Sequence, residues 1–161
     1  MMDFGVVKKI LDMEIHRDRK AGKLYLSQKK YIKKVLECFG MHKSKLVSIP
    51  LCAHFRLLAM SAPQNEEEEQ FMSRVPYSSV VGSIMYAMVC TYPYISQAVS
   101  VVSRYMANSG KVHRQAVKWI FRYLWGTTDV GLVYDRGSGI SSNVIGYVDS
   151  EYVGDLDKKD V

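Results

Sequence analysis

The chain has 161 residues, 48% of them hydrophobic and 24% charged, with 22 Lys/Arg against 16 Asp/Glu for a formal net charge of +6. This balance excludes a disordered polar tract, and the longest apolar run, Val80 to Cys90, is interrupted by Gly82 and Ser83 and too short to span a bilayer. Cys38, Cys52 and Cys90 are spaced like neither a disulfide framework nor a metal knuckle, and no signal-peptide pattern opens the chain, so cytoplasm or nucleus is expected, with no membrane partner.

Taken in order, Lys9 to His16 alternates, with Leu11, Met13 and Ile15 on one face, and predicts a half-buried strand. Arg17 to Gly22 is a polar reversal, and Lys23 to Leu26 predicts the second strand of a β-hairpin. Ser27 is placed to cap a helix over Gln28 to Phe39, with Tyr31, Ile32, Val35, Leu36 and Phe39 on its apolar face and Gly40 as its left-handed stop. Lys29, Lys30, Lys33 and Lys34 cover the rest of that helix and repel one another unless an anion offsets the charge.

Met41 to Met60 carries Pro50 and little periodicity, so it reads as a connector. The stretch Ser61 to Arg74, with Pro63 and the run Glu66–Glu69, reads as a solvated linker and a domain boundary. The tract from Tyr77 to Tyr134 then organises the chain, with no acidic residue between Gln70 and Thr128. Val81, Ile84, Met85, Met88 and Val89 mark a first helix, in which Gly82 argues for close backbone packing because it costs about 1 kcal/mol relative to alanine. Pro93 suits the first turn of a second helix, with Ile95, Ala98, Val99, Val102, Tyr105 and Met106 facing inward. A third helix over His113 to Leu124 buries Ala116, Val117, Ile120, Phe121 and Leu124 and presents Arg114, Lys118 and Arg122 outward. Val130 to Tyr134 and Asn143 to Asp149 predict two strands of a C-terminal sheet, followed by an acidic end.

Charge is unevenly divided. Residues 8–45 carry twelve basic and four acidic residues, residues 70–128 six basic and none acidic, and residues 129–161 three basic and seven acidic. A basic body of this kind suits a polyanion, and the seven cations Lys29, Lys30, Lys33, Lys34, Arg114, Lys118 and Arg122 are its candidate nucleic-acid-binding residues. Gly137 and Gly139 precede no Lys-Ser/Thr and no helix, so they form no phosphate loop, and His16, His42, His54 and His113 lack metal-ligand spacing. Asp149, at a strand end, is the candidate Mg²⁺ ligand. One carboxylate holds that octahedral ion weakly, and a two-metal phosphodiesterase needs several, so no complete catalytic site is expected.

Five segments carry a resemblance. Leu11-Asp12-Met13-Glu14-Ile15 resembles an L-G-x-E-I strand, and Leu26-Ser27-Gln28-Lys29-Lys30-Tyr31-Ile32 an L-x-Q-x-x-Y-I helix entry. Tyr77-Ser78-Ser79 with Val81-Gly82-Ser83-Ile84-Met85-Tyr86 is similar to Y-R-x-x-x-G-S-L-x-Y, and Arg122-Tyr123-Leu124-Trp125-Gly126-Thr127 to R-Y-L-x-G-T. Gly146-Tyr147-Val148-Asp149-Ser150-Glu151-Tyr152-Val153-Gly154-Asp155 is similar to G-Y-x-D-S-D-W/Y-A-G-D. In this order they resemble the Pol polyprotein of copia-type LTR retrotransposons, between the polymerase active site and the start of RNase H.

The resemblance implies an α+β chain in four parts. These are the edge of the reverse transcriptase palm and thumb (1–60), an acidic linker (61–76), a helical connection (77–134) and the start of an RNase H-like domain (135–161). It implies Asp149 as the first RNase H metal carboxylate, Mg²⁺ as the parent enzyme's ion, and template–primer, hybrid and the remainder of the polyprotein as partners. The polymerase Tyr-x-Asp-Asp motif is not in the sequence, so the expectation is a non-catalytic fragment with weak, sequence-independent nucleic-acid binding. The alternatives are residual Mg²⁺-dependent RNase H activity and a helical protein-interaction module. Thr91-Tyr92-Pro93-Tyr94-Ile95 stands where the family has T-R-P-D-I, which removes an Arg and an Asp that could pair.

Overall fold

The computed structural model describes residues 8–41, 45–52, 55, 57 and 61–136. The chain begins with three short strands, β1 (Lys9–Ile10), β2 (Met13–Asp18) and β3 (Lys23–Ser27), which form an antiparallel meander. The single alternating strand expected over Lys9 to His16 is therefore broken. Leu11 and Asp12 adopt φ of 47° and 58°, so a two-residue reversal with both central residues left-handed folds β1 onto β2. Leu11 leaves the inner face as a result and is 71% exposed.

Helix α1 spans Lys29–Cys38. Its N-cap is Gln28 rather than Ser27, although the Ser27 hydroxyl accepts the Lys29 N–H at 3.3 Å. Gln28 is fully buried, and its Oε1 accepts the hydroxyl of buried Thr91 at 2.8 Å, so the entry to α1 is tied to the far end of the next long helix.

The acidic stretch expected to be a linker contains helix α2, Glu66–Ser73. Asn65 accepts the Glu68 N–H at 2.9 Å, and the Glu68 carboxylate accepts the Gln64 N–H at 3.2 Å. Four carboxylates in the first turn then sit at the positive end of the helix dipole, which offsets their mutual repulsion. Met72 anchors α2 by burial.

Helix α3 (Tyr77–Cys90) follows, then a turn of 3₁₀ helix (Pro93–Ile95), α4 (Ser96–Ser103) and α5 (Lys111–Gly126). Their buried faces, Val81, Ile84 and Ala87 on α3, Ala98, Val99 and Val102 on α4, and Ala116, Val117, Ile120, Phe121 and Leu124 on α5, form one core with Ile32 and Leu36 of α1. The described residues on both sides of the acidic stretch thus share a single core. Phe39 stacks on Phe121 with centroids 5.6 Å apart, which fixes the end of α1 against α5. The connector after α1 is tied to α5 and to the turn before it: the Ile49 carbonyl accepts the Trp119 indole N–H at 3.0 Å, and the Leu57 carbonyl accepts the Tyr105 hydroxyl at 2.7 Å.

Strand β4 (Leu132–Asp135) closes the chain's path by pairing antiparallel with β3, Leu24 opposite Tyr134 and Leu26 opposite Leu132. The sheet order is β1-β2-β3-β4. The strand expected at Val130 to Tyr134 is therefore present two residues later, and it belongs to the N-terminal meander. The second C-terminal strand, Asp149 and all of the expected RNase H-like start beyond residue 136 lie outside the described residues. No described strand residue is buried or takes part in the helical core.

Two glycines part company under substitution. A Cβ on Gly82 meets nothing within 4 Å, so the close packing expected there is not found, whereas a Cβ on Gly110 would stand 1.9 Å from the Ser61 carbonyl oxygen. Gly82→Ala is expected to stabilise the chain by about 0.5–1 kcal/mol in urea unfolding, and Gly110→Ala to destabilise it. Equal effects of the two substitutions would contradict this packing.

The core is also sensitive to base. Burial pushes the Tyr92 phenol up to about 12 and raises that of Tyr77 further. A folded-state value above the unfolded one means that stability is complete below about pH 10 and is lost as pH rises toward the folded value. Circular dichroism across that window is expected to show unfolding coincident with tyrosinate absorbance. Tyr92→Phe is expected to flatten the alkaline limb while costing about 1 kcal/mol at neutral pH, because the Tyr92 hydroxyl donates to the Thr127 carbonyl at 2.9 Å.

Candidate nucleic-acid interface

The seven basic residues singled out in the sequence fall into two groups with different surroundings. On α1 the cations meet carboxylates of the same chain. Lys29 pairs with Asp129 in the turn after α5, and Lys30 pairs with Glu14 of β2 at 2.8 Å. A hydrogen bond and the charge of Lys29 hold the Asp129 carboxyl below its ordinary value, with Lys33 adding to the effect. Asp12 is likewise lowered by its hydrogen bond and ion pair with Lys9, 2.8 Å away, and by the charge of Lys34. Repulsion within the lysine face is therefore offset from inside the molecule, by the meander on one side and by Asp129 on the other.

On α5 the situation is reversed. Arg114, Lys118 and Arg122 recur every four residues, so they form a row with about 6 Å of rise between neighbours. Among the described residues, no carboxylate pairs with any of the three. Partial burial, and then the charges of Arg114 and Arg122, press the Lys118 ammonium below its ordinary value. The Arg122 Nε–H is buried without an acceptor. Such a row leaves three neighbouring cations without a carboxylate partner among the described residues.

The near end of the row is braced by α2. Lys111 binds Glu68 at 2.9 Å, and the Lys111 and Arg114 head groups stand 5.9 and 5.4 Å from the centroid of the Phe71 ring. The hydrogen bond from Lys111 is the main cause holding the Glu68 carboxyl below its usual range. The brace was not anticipated, although the Asn65-x-x-Glu68 pattern and Phe71-Met72 one turn later carried the signal. The far end of α5 is locked by aromatic residues. Tyr92 is fully buried and Tyr94 packs on it with centroids 5.5 Å apart, so two tyrosines occupy the place of the Arg and Asp expected from the family pattern.

Among the described residues no three His, Cys, Asp or Glu side chains gather to hold a metal ion. Asp149, the candidate Mg²⁺ ligand, lies outside them. No described helix is long and apolar enough to cross a membrane.

No family model matches the chain, and no solved structure does. Over 99% of its length the chain is 50% identical to a retrovirus-related Pol polyprotein from transposon TNT 1-94 of Nicotiana tabacum, of which it covers 12%. It is 30% identical over 94% of its length to a putative transposon Ty5-1 protein of Saccharomyces cerevisiae, of which it covers 46%. It is 33% identical over 83% of its length to a retrovirus-related Pol polyprotein from transposon RE1 of Arabidopsis thaliana, of which it covers 8%. The chain thus spans less than half the length of each of these three relatives. Along nearly its whole length it is similar to a stretch of one retrovirus-related Pol polyprotein of a transposon, and over most of its length to a stretch of another.

Proposed function

We propose that the chain serves as the segment of a copia-type retrotransposon polyprotein that lies between polymerase and RNase H, where it holds the nucleic-acid backbone without performing chemistry itself. One observation carries this reading: Arg114, Lys118 and Arg122 line up along one helix with no carboxylate pairing any of the three among the described residues. A row of cations along one helix reads phosphate and not sequence, so binding is sequence-independent and driven by counterion release. The four α1 lysines contribute less, because Asp129, Glu14 and Asp12 already face them. The likeness to Pol polyproteins supports the polyprotein setting, and the motif order in the sequence supports the position within it.

Binding of a duplex template–primer, followed by anisotropy between about 50 and 200 mM salt, separates the two groups. Replacing Arg114, Lys118 and Arg122 by Gln is expected to reduce the salt slope by about 2–3, at roughly 0.9 per phosphate released. Replacing Lys29, Lys30, Lys33 and Lys34 by Gln is expected to reduce it by less. Salt-insensitive binding, or a slope that follows the α1 lysines alone, would remove the basis of the proposal. An RNA–DNA hybrid with Mg²⁺ is expected to stay intact, since one carboxylate cannot clamp two ions. Cleavage abolished by Asp149→Asn would replace the non-catalytic reading with an RNase H activity.

A further inference from the structure

Beside the basic row, the chain leaves a recess of about 200 Å³ between the end of α1, residues 74–80 and α5. Its floor is apolar: Phe39 and Phe121, stacked on one another, with Met41, Val80 and Val117 around them. Its rim is cationic, with Arg74, Arg114 and Lys118 and no acidic residue among its lining. An apolar floor under a cationic rim selects for a ligand that is both greasy and anionic.

Size and polarity narrow the choice. Small-molecule sites usually enclose about 300–1,000 Å³, so this recess suits one large side chain better than a whole metabolite. A nucleobase would bring polar edge atoms that need partners inside. Tyr77 lines the recess, and its hydroxyl is already committed, donating to the Val102 carbonyl at 2.8 Å. The interior therefore offers burial without base-edge recognition.

We propose that the recess is a docking site for an acidic protein segment that seats one bulky apolar side chain over Phe39 and Phe121 and places its carboxylates on Arg74, Arg114 and Lys118. Both halves are needed. The anchor supplies hydrophobic burial that salt does not screen, and the carboxylates finish the rim. The site shares Arg114 and Lys118 with the phosphate-binding row, so an acidic segment and nucleic acid exclude one another there. The proposal does not require that the nucleic-acid reading hold, since its floor is formed by residues that take no part in that reading.

The test uses the full 161-residue chain and a fluorescein-labelled peptide, acetyl-Glu-Asp-Glu-Phe-Asp-Glu-amide, followed by anisotropy with a short oligothymidylate as the second ligand. Replacing the peptide's Phe by Ser is expected to weaken binding at least tenfold, as is replacing its acids by Gln and Asn. Val75→Trp, which fills the recess from its edge, is expected to abolish peptide binding and to leave oligothymidylate binding within twofold. Lys118→Glu is expected to weaken both ligands, and circular dichroism on each variant confirms the helical body. Peptide binding that is indifferent to the Phe, or absent in the unmodified chain, overturns the proposal. Loss of oligothymidylate binding in Val75→Trp would assign the recess to a nucleobase instead. A dimer in sedimentation that Val75→Trp disperses would assign it to a second copy, and either result overturns the proposal.

Discussion

The burial of one side of α5 is the constraint from which the rest of the structure follows. Ala116, Val117, Ile120, Phe121 and Leu124 are all buried, and α1, α3 and α4 each pack against that helix. Burying a large apolar side chain is worth about 1.5–3 kcal/mol, so this one stripe carries more stabilisation than any surface ion pair in the molecule. With the inner stripe committed to the core, the outward positions of the same helix are left to charge. Arg114, Lys118 and Arg122 form a row because a four-residue step returns close to the same side of the helix. The electrostatics of the interface is thus a by-product of how the core is built.

Two buried polar side chains register neighbouring elements. The buried Gln28–Thr91 hydrogen bond registers the entry to α1 against the end of α3. His113 is also fully buried; its Nδ1 accepts the Gly110 N–H at 2.8 Å, and its ring lies on Tyr105 with centroids 4.0 Å apart. Each of these groups is costly to bury without a partner, so each favours one arrangement of its neighbours over other compact ones. The Glu68–Lys111 and Lys30–Glu14 pairs sit nearer to solvent and orient elements more than they stabilise them.

The helices of the core were legible from sequence because their apolar spacing is strong and local: every α5 position expected to be inside is buried. What escaped the sequence was non-local or contradicted composition. Strand β4 is short and mostly exposed, and its partner β3 lies roughly 110 residues away, so no local pattern announces the pairing. Four consecutive glutamates suggest solvated coil until the helix dipole and the Asn65 cap are weighed, and then they suggest the start of a helix. The break at Leu11–Asp12 was hidden because leucine is not a usual left-handed residue, although aspartate tolerates that conformation, and the alternation runs through both. The basic row was legible as residues, but its distinction from the α1 lysines was not. That distinction depends on carboxylates from β2 and from the turn after α5, brought close only by the fold.

The pairing of β3 with β4 has a consequence for how such a segment travels between polypeptides. Lys23 and Asp135 face one another across the two strands with their charged groups 3.4 Å apart, so the path enters the helical body and leaves it through adjacent strands of one sheet. A unit whose two attachment points are neighbours can be spliced into a host chain, or lost from it, without forcing the flanking parts of the host to separate. The sheet, which contributes no residue to the core, is then a coupling rather than a foundation. It brings the entry and exit of the helical body to one place.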